Sequence, residues 1–329
     1  MTHSMPINRR DLLAAAAMVT GASAAAGPAD ATSPQPDLSG VSILITGCSS
    51  GFGRLGAEHY ARLGAKVFAT MRNIPRPEAE ELRILADAEG LDIEVIEIDV
   101  TKRRQVRRGV ARALEAAGGS LDVLINNAGI AYGGTVELMD ERATREMFDT
   151  NVFGPQRMTR EVLPAMRSNG RGLIVNISSQ LGRVILPGFS VYSPTKFALE
   201  ALSEQMAFEV AGHGIDVSIV QPGGYPTKIW DNARALTERL LKRTPDALEE
   251  AYAPFLEGLA SRGGGSTDPM DVPRAIAGIV SAPAGQRPLR LPVHPGARPQ
   301  LAINAASAAT QRSILERSGM GAVASKLYE

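Results

Sequence analysis

Residues 46–53 carry three glycines and stand between two segments whose apolar residues follow different periods. Before them, residues 41–45 form a short apolar run, which is typical of a strand buried on both faces. After them, residues 55–63 show the apolar spacing of a helix, which ends at Gly64. A strand, a glycine-rich turn and a helix in this order can bind the pyrophosphate of a dinucleotide, because glycine lets the backbone approach and the helix N-terminus supplies N–H donors.

The glycine spacing in this turn is Gly-x-x-x-Gly-x-Gly and differs from the Gly-x-Gly-x-x-Gly of many dinucleotide-binding turns. Either spacing also occurs in tight loops that bind no ligand. The position between a strand and a helix favours the nucleotide-binding interpretation. We therefore expect six residues of the turn to contact a dinucleotide: Gly47, Ser49, Ser50, Gly51, Phe52 and Gly53.

Strand and helix patterns alternate along most of the remaining chain. Apolar runs predict further strands at 66–70, 93–98, 121–125, 172–179, 215–220 and 289–293. Helical spacing predicts helices at 77–90, 102–117, 141–169, 192–212 and 271–281. This alternation predicts an α/β fold with a single Rossmann-type, doubly wound parallel sheet of about seven strands and helices on both faces. Such sheets bind ligands beyond the carboxyl ends of their strands.

Composition excludes several classes of function. The 35 basic and 35 acidic side chains give a formal net charge of zero, and aromatic residues make up only 5% of the 329 residues. A nucleic-acid partner is therefore not expected. The single cysteine, Cys48, excludes an intramolecular disulfide and a cysteine-based zinc site, and we expect no metal.

The N-terminus has the features of an export signal. Arg9 and Arg10 precede an alanine-rich run at 12–26, and residues 29–31 fit an A-x-A cleavage site. The run is too short and too weakly apolar for a permanent membrane span. These features resemble a twin-arginine signal at 1–31 with a linker at 32–37, and they predict a periplasmic protein exported already folded. The alternative is a disordered leader with a chance arginine pair on a cytoplasmic protein.

The end of the second predicted strand bears on cofactor choice. In NAD-selective folds an acidic side chain near this point binds the ribose 2′-hydroxyl. Here residues 70–73 contain no carboxylate but do contain Arg72, whose guanidinium suits a 2′-phosphate. We therefore expect NADP(H) in preference to NAD(H). The alternative is that Arg72 is a solvated loop charge.

Polar and small residues follow two other strands. Asp99 could accept a hydrogen bond from an adenine amino group or cap the helix at 102–117. Asn126, Ala128 and Gly129 fit close backbone approach to a ribose and hydrogen bonding across the sheet. Asn151 lies inside a predicted helix, where asparagine is unfavourable. It is either a surface substitution or the mark of a local opening that binds water.

Tyr192 and Lys196 are four residues apart at the start of a predicted helix. Positions i and i+4 share one helix face, about 6 Å apart at Cβ. A fixed cation favours a phenolate and lowers the pKa of the phenol, so such a pair can move a proton on or off an alcohol oxygen. The pattern alone also arises by chance in surface helices.

Over residues 38–227 the chain resembles the short-chain dehydrogenase/reductase family. The matching residues are the loop at 46–53, Asp99, residues 126–129, Asn151, Ser179, Tyr192 with Lys196, and Pro222 with Gly223. Residues 67–73 are most similar to the hydroxysteroid and retinol dehydrogenase branches, which often prefer NADP(H). The main departure is Pro194, which stands where a small residue is usual and which a first helical turn tolerates.

The resemblance implies roles for individual residues. Tyr192 would be the acid/base on the substrate oxygen, and Lys196 would lower its pKa and bind the nicotinamide ribose. Ser179, thirteen residues before Tyr192, would hold the substrate oxygen, and Asn151 would hold a water of a proton relay. The residues implied to bind the cofactor outside the glycine-rich turn are Arg72, Asp99, Val100, Asn126, Ala128, Gly129, Tyr192, Lys196, Pro222, Gly223 and Thr227.

The C-terminal third is less informative. A catalytic domain is expected at 38–298, with a substrate lid at 228–270 and a tail at 299–329 whose role the sequence does not indicate. The apolar residues of the lid predict either a pocket for a lipophilic carbonyl or a helix pair covering the core. His294 is expected to be a turn residue. The motifs and the resemblance together predict an oxidoreductase that acts on a small carbonyl or alcohol as a homodimer or homotetramer. The alternative is a non-catalytic sensor or scaffold that binds NAD(P).

Overall fold

Seven strands are present in the part of the chain that the computed structural model describes, residues 35–260 and 263–328. They are β1 (Ser42–Thr46), β2 (Lys66–Met71), β3 (Ile93–Glu97), β4 (Val123–Asn126), β5 (Gly172–Ile177), β6 (Ile215–Pro222) and β7 (Arg290–Val293). Every neighbouring pair is parallel, and the order across the sheet is β3-β2-β1-β4-β5-β6-β7. The chain direction across the sheet reverses between β1 and β4, which places the ligand-binding crevice beyond the carboxyl ends of these two strands.

Helices connect the strands and cover the sheet. They are α1 (Gly51–Arg62), α2 (Pro77–Glu89), α3 (Arg103–Ala116), α4 (Glu141–Phe148), α5 (Gly154–Asn169), α6 (Tyr192–Val210), α7 (Ile229–Leu241), α8 (Asp246–Ala251), α9 (Ala253–Ala260), α10 (Asp271–Ser281), α11 (Gln300–Arg317) and α12 (Gly321–Tyr328). Helices α7 to α9 lie in the predicted lid, and α11 and α12 lie in the predicted tail.

The strands are apolar on both sides because both faces of the sheet are covered. In β1, Ile43 and Ile45 pack on one face together with Tyr60 of α1 and Ile276 of α10. Leu44 points to the opposite face, where α3, α5 and α6 contribute the partners. The predicted doubly wound parallel sheet with helices on both faces is therefore confirmed.

Two helix predictions need correction. The helix predicted at 141–169 is interrupted, because a π-helical turn at Asp149–Phe153 separates α4 from α5. Helix α1 begins at Gly51, four residues earlier than the predicted start, since glycines carry no apolar spacing from which a helix start can be read. The interruption at Asp149–Phe153 matters for function, because π-helical turns often occur at functional sites.

Within residues 35–260 and 263–328, no helix is long and apolar enough to cross a membrane. No group of three or more histidine, cysteine, aspartate or glutamate side chains is placed to hold a metal ion in the same part of the chain. The predicted leader at 1–31 and the first residues of the predicted linker, 32–34, lie outside the described residues.

One buried hydroxyl in the core gives a stability prediction. Tyr60 is fully buried, and its hydroxyl has no hydrogen-bond partner among the described residues. Tyr60→Phe is expected to raise the free energy of unfolding by about 1 kcal/mol, because the buried hydroxyl is desolvated without compensation. Urea denaturation measures the change. The control Ser42→Ala removes a hydroxyl bonded to Asp122 and should lower the same quantity by about 1 kcal/mol. A less stable Tyr60→Phe variant would contradict the prediction.

Candidate active site

Tyr192 is the first residue of α6, so the tyrosine stands at the entrance of the helix as the sequence predicts. Pro194 lies in the first turn, where no intrahelical N–H bond is lost. Lys196 follows one turn later, with its Nζ 5.7 Å from the centroid of the Tyr192 ring. Both side chains are buried, Tyr192 at 8% and Lys196 at 5% exposure. The phenol and the ammonium therefore share one water-poor face of the helix.

Burial moves both groups away from their charged forms. It raises the pKa of Tyr192 to about 12, against which a hydrogen bond with Ser179 acts. It lowers the pKa of Lys196 to about 8, against which the negative charge of Glu200 acts. Lys196 Nζ donates a hydrogen bond to the carbonyl of Ile177, the last residue of β5, at 2.8 Å. At neutral pH the tyrosine is therefore a protonated phenol and the lysine an ammonium.

Ser179 and Ser178 are distinguished by their surroundings. Ser179 forms the hydrogen bond with Tyr192, and its Oγ also accepts from the N–H of Leu181 at 3.1 Å. Ser178 Oγ is buried without a partner among the described residues and lies beside Gly182, where a Cβ would come within 2.7 Å of it. The structure brings Ser179, and not Ser178, together with the tyrosine.

Asn151 is 1% exposed and lies within the π-helical turn, so the surface interpretation is wrong. Its Oδ1 accepts from the N–H of Ile130 at 2.9 Å, and its Nδ2 donates to the carbonyl of Ile130 at 2.9 Å. A Cβ on Gly129 would lie 3.4 Å from Asn151 Oδ1 and 3.8 Å from Lys196 Nζ. The asparagine therefore fixes the segment after β4 next to the lysine.

Thr195 was missed by the sequence analysis. Its Oγ1 donates to the backbone carbonyl of Tyr192 at 2.7 Å and accepts from Nδ2 of Asn151 at 3.1 Å. It thus joins the first turn of α6 to the π-helical turn. Its place between the tyrosine and the lysine on a predicted helix start is the signal that could have identified it.

The glycine-rich turn approaches the loop after β4 too closely for side chains. A Cβ on Gly53 would lie 2.4 Å from the carbonyl oxygen of Gly47, and a Cβ on Gly47 would lie 2.9 Å from Cα of Ala128. Asn127, part of the matching segment 126–129, donates from Nδ2 to the carbonyl of Thr46 at 2.8 Å. Thr46 Oγ1 in turn accepts from the N–H groups of Asn127 and Ala128 at 3.0 Å each. These bonds hold the two loops together at the reversal point of the sheet.

The start of α1 fits a bound pyrophosphate. Ser50 precedes the helix in an extended conformation without a side-chain capping bond, and the first turn carries no acidic residue. The first N–H groups of a helix lack intrahelical acceptors and bear partial positive charge. Gly51 has φ +56°, and a Cβ on it would lie 3.4 Å from Cβ of Thr227. Thr227 therefore lies against the glycine-rich turn, next to Gly51.

The ring of Phe52 itself packs into the core. It meets Tyr225 edge to face at 5.5 Å between ring centroids. Only the backbone of Phe52 is therefore placed to contact a nucleotide.

Arg72 and Asp99 lie near the ends of β2 and β3. Arg72 is exposed, and its guanidinium has no hydrogen bond or ion pair with another described residue. Asp99 does not cap α3, since the capping position is Lys102; its Oδ1 instead accepts from the N–H and the hydroxyl of Thr101 at 2.9 and 2.7 Å. Val100 is buried against Gly154 at the start of α5.

The side chain of Asn126 makes a hydrogen bond to the neighbouring strand. It is 3% exposed and donates from Nδ2 to Asn176 Oδ1, on the neighbouring strand, at 2.8 Å. This is the predicted bond across the sheet, and it leaves contact with a ribose to the backbone of Asn126. At the end of β6, Gly223 faces His294, since a Cβ on Gly223 would lie 2.6 Å from the imidazole. Pro222, the last residue of β6, pairs with Val293. His294 Nδ1 accepts from the N–H of Gly296 at 3.0 Å, as expected of a turn residue.

An apolar cluster surrounds Tyr192 on the side of the lid. Its buried members are Ala131, Tyr132, Leu138, Met139, Ala143, Met147, Leu181, Val191, Tyr192 and Leu240. Residues of α7 to α9, among them Ile229, Leu236 and Leu256, pack against it. The lid helices and the phenol of Tyr192 therefore share one apolar environment.

Fold and site together define an oxidoreductase with the NAD(P) type of Rossmann fold. A sequence model of the short chain dehydrogenase family matches residues 42–237. The chain belongs to this family. It is 33% identical over 248 residues to human retinol dehydrogenase 8, covering 73% of this chain and 78% of that protein. It is 31% identical over 264 residues to the mitochondrial D-beta-hydroxybutyrate dehydrogenase of Rattus norvegicus, covering 76% of each protein.

Solved structures agree with this assignment. The crystal structure of a short-chain dehydrogenase from Streptomyces avermitilis superposes with a TM-score of 0.63 at 34% identity, covering 85% of this chain and 98% of that one. Other solved structures with this fold contain NAD or NADP. The chain is therefore an oxidoreductase of a fold that takes either nicotinamide dinucleotide.

The close approach at Gly53 yields a prediction for cofactor binding. Gly53→Ala would place a methyl group 2.4 Å from the Gly47 carbonyl oxygen and force the turn open. Binding of NADPH, measured by calorimetry, is expected to weaken at least about tenfold, or about 1.4 kcal/mol. Gly212→Ala is the control, since its Cβ meets no atom within 4 Å. Unchanged affinity in a folded Gly53→Ala variant would contradict the role of this turn.

Proposed function

We propose that the protein is an NADP(H)-dependent oxidoreductase that transfers a hydride between the nicotinamide and the carbonyl or secondary alcohol of a lipophilic small molecule. The observation that carries this proposal is the position of Tyr192: its phenol, bonded to Ser179 and close to Lys196, belongs to the apolar cluster that the lid helices cover. We propose that it works as a homodimer or homotetramer.

The side chains divide the proton chemistry among them. In carbonyl reduction, the hydroxyl of Tyr192 donates its proton to the substrate oxygen, and the hydroxyl of Ser179 donates a hydrogen bond to the same oxygen. The ammonium of Lys196 stabilises the phenolate that remains. The nicotinamide, when bound, supplies or accepts the hydride. Asn151 holds Ile130 and Thr195 in place. The phenolate would regain its proton from Lys196, and a water beside Asn151 would return a proton from solvent to the lysine.

The preference for a lipophilic substrate rests on the lining of the site. Apolar side chains of α7 to α9 meet the tyrosine in one cluster, and placing apolar substrate surface there is favourable by about 25 cal/mol per Å². Relatives do not decide the question, since one is named for retinol and another for a small hydroxy acid. We therefore propose that the lid forms a substrate pocket, and not a helix pair that only covers the core.

Tyr192→Phe tests the mechanism. Turnover of NADPH with a series of alkanones, cyclic ketones and polar keto acids is expected to fall about 10²- to 10⁴-fold, because the proton donor is lost. Tyr132→Phe is the matched control: it lies in the same apolar cluster and bonds Glu146 instead. Light scattering on the same preparations measures the oligomeric state. Equal activity of wild type and Tyr192→Phe would refute the mechanism, and a preference for polar keto acids would refute the lipophilic substrate.

Arg72→Ala tests the cofactor preference. The guanidinium at the end of β2, which has no partner among the described residues, is expected to bind the 2′-phosphate. A hydrogen bond to a charged group contributes about 1.5–3 kcal/mol. Affinity for NADPH should fall at least about tenfold while affinity for NADH stays constant. Arg76→Ala is the control, since Arg76 is paired with Glu78 at 2.8 Å. Equal losses for both nucleotides, or none, would show that Arg72 does not select NADP(H).

We further propose export by the twin-arginine route, which would deliver the folded enzyme to the periplasm with its nucleotide bound. The support is the sequence of residues 1–31, with Arg9 and Arg10 before the alanine-rich run. Substitution of both arginines by lysine should retain the protein in the cytoplasm, as measured by fractionation and immunoblotting. If the unaltered chain also remains cytoplasmic, the proposal fails.

A further inference from the structure

A buried carboxylate lies one helical turn beyond the lysine. Glu200 is 2% exposed, on the same helix as Lys196. Its Oε1 accepts from Nε2 of Gln221 at 2.8 Å, and its Oε2 accepts from Nε of Arg290 at 2.8 Å. Gly182 packs directly against the side chain of Glu200, since a Cβ on Gly182 would lie 3.0 Å from Cγ of Glu200. The carboxylate is thus held in one orientation and shielded from water.

The C-terminal helices complete this arrangement. Asn304 of α11 donates from Nδ2 to Oε1 of Gln221 at 2.7 Å, which leaves the amide NH₂ of Gln221 directed at Glu200. Arg290 also donates from Nη2 to Glu204 at 2.8 Å, and the hydroxyl of Tyr328, in α12, donates to Glu204 as well. The tail, for which the sequence indicated no role, therefore supports the donors that hold Glu200.

Lys196 requires a nearby negative charge to remain protonated. Its Nζ is buried, and its one hydrogen bond among the described residues goes to the neutral carbonyl of Ile177. A buried ammonium without a compensating charge tends to lose its proton. The carboxylate of Glu200 opposes the effect of burial on the pKa of Lys196.

We propose that Glu200 is a positioning residue for the reaction: its carboxylate, fixed by Gln221 and Arg290, keeps the buried ammonium of Lys196 charged beside Tyr192. The inference deepens the proposed function, since it rests on the role of Lys196 given there. It also assigns the C-terminal helices a part in the site, through Asn304 and Gln221.

The direction in which Glu200→Gln shifts the pKa of Lys196 depends on the charged groups around Glu200. Lys196 and Glu204 lie on the same helix, Arg290 comes from β7, and Arg183 comes from the segment after the Gln180–Gly182 turn. Strand β6 contributes the neutral Gln221. Glu200→Gln removes the attraction to the ammonium and leaves Arg290 with less compensation, so both changes lower the pKa of Lys196. The ammonium then loses its proton at lower pH.

The test is a titration of Lys196 that does not depend on turnover. The chain has six lysines, so protein labelled with ¹³C at the lysine Cε gives few resonances, and Lys196→Arg identifies the one of interest. The wild-type midpoint is expected near the pKa of about 8 that burial imposes. Glu200→Gln should move the midpoint down by about one unit, and the high-pH limb of the reduction rate should move with it. Glu200→Asp keeps the charge, so its midpoint should lie close to that of the wild type.

Glu204→Gln is the matched control. Glu204 shares Arg290 with Glu200, but it lies a further turn of α6 away from the lysine. Glu204→Gln should lose a similar ion pair and leave the titration midpoint of Lys196 unchanged. An unmoved midpoint in Glu200→Gln, or equal shifts in both variants, would overturn the inference.

A pair of double variants guards against misfolding of Glu200→Gln. The variant E200Q/R290M removes both charges of the buried pair and should lower the midpoint by a smaller amount, whereas E204Q/R290M leaves Glu200 unpaired and should raise it. Shifts of the same sign would overturn the inference. If instead Tyr192→Phe remains fully active while the Lys196 midpoint behaves as expected, the proposed catalytic roles fail and the electrostatic role of Glu200 stands.

Discussion

The buried ammonium of Lys196 is the group on which the rest of the site depends. Removing a cation from water is costly unless charge and hydrogen bonds replace the water. The structure supplies one neutral acceptor, the carbonyl of Ile177 at the end of β5, and one negative charge, Glu200 a turn further along α6. The position of the lysine is thus fixed by the sheet, and its charge is supported from within its own helix.

Much of the fold and the core of the site could be predicted from the sequence, because their signals are local. The order strand, glycine-rich turn, helix at 41–63 specifies a binding turn without knowledge of any distant contact, and the structure shows why Gly53 cannot carry a side chain. The spacing of Ser179 and Tyr192 likewise selected the serine that bonds the phenol. The bond of Asn126 across the sheet was predicted too, but without its partner, because Asn176 is fifty residues away on the neighbouring strand.

Other features could not be predicted because they depend on contacts between distant segments. The π-helical turn at Asn151 forms where the amide bonds both the N–H and the carbonyl of Ile130, a pairing that no helical period reveals. Glu200 and Glu204, four residues apart on a helix, suggest a solvated face when read alone. Only the arrival of Arg290 from β7, ninety residues later, makes them a buried cluster.

Burial shifts the pKa values of the tyrosine and the lysine in opposite directions, and both shifts favour the neutral form of the group. It raises the pKa of Tyr192 to about 12 and lowers that of Lys196 to about 8, so each group is driven toward its neutral form. Proton transfer to a substrate oxygen leaves a phenolate on Tyr192, and this charge demands stabilisation by the ammonium of Lys196. The apolar lid that suits a lipophilic substrate makes this demand harder, since it excludes the water that would screen either charge. Two contacts oppose burial, the hydrogen bond of Ser179 to the phenol and the charge of Glu200 on the lysine. Ser179 contacts the tyrosine on the substrate side, and Glu200 lies one helical turn beyond the lysine. Each member of the charged pair therefore has its own supporting residue.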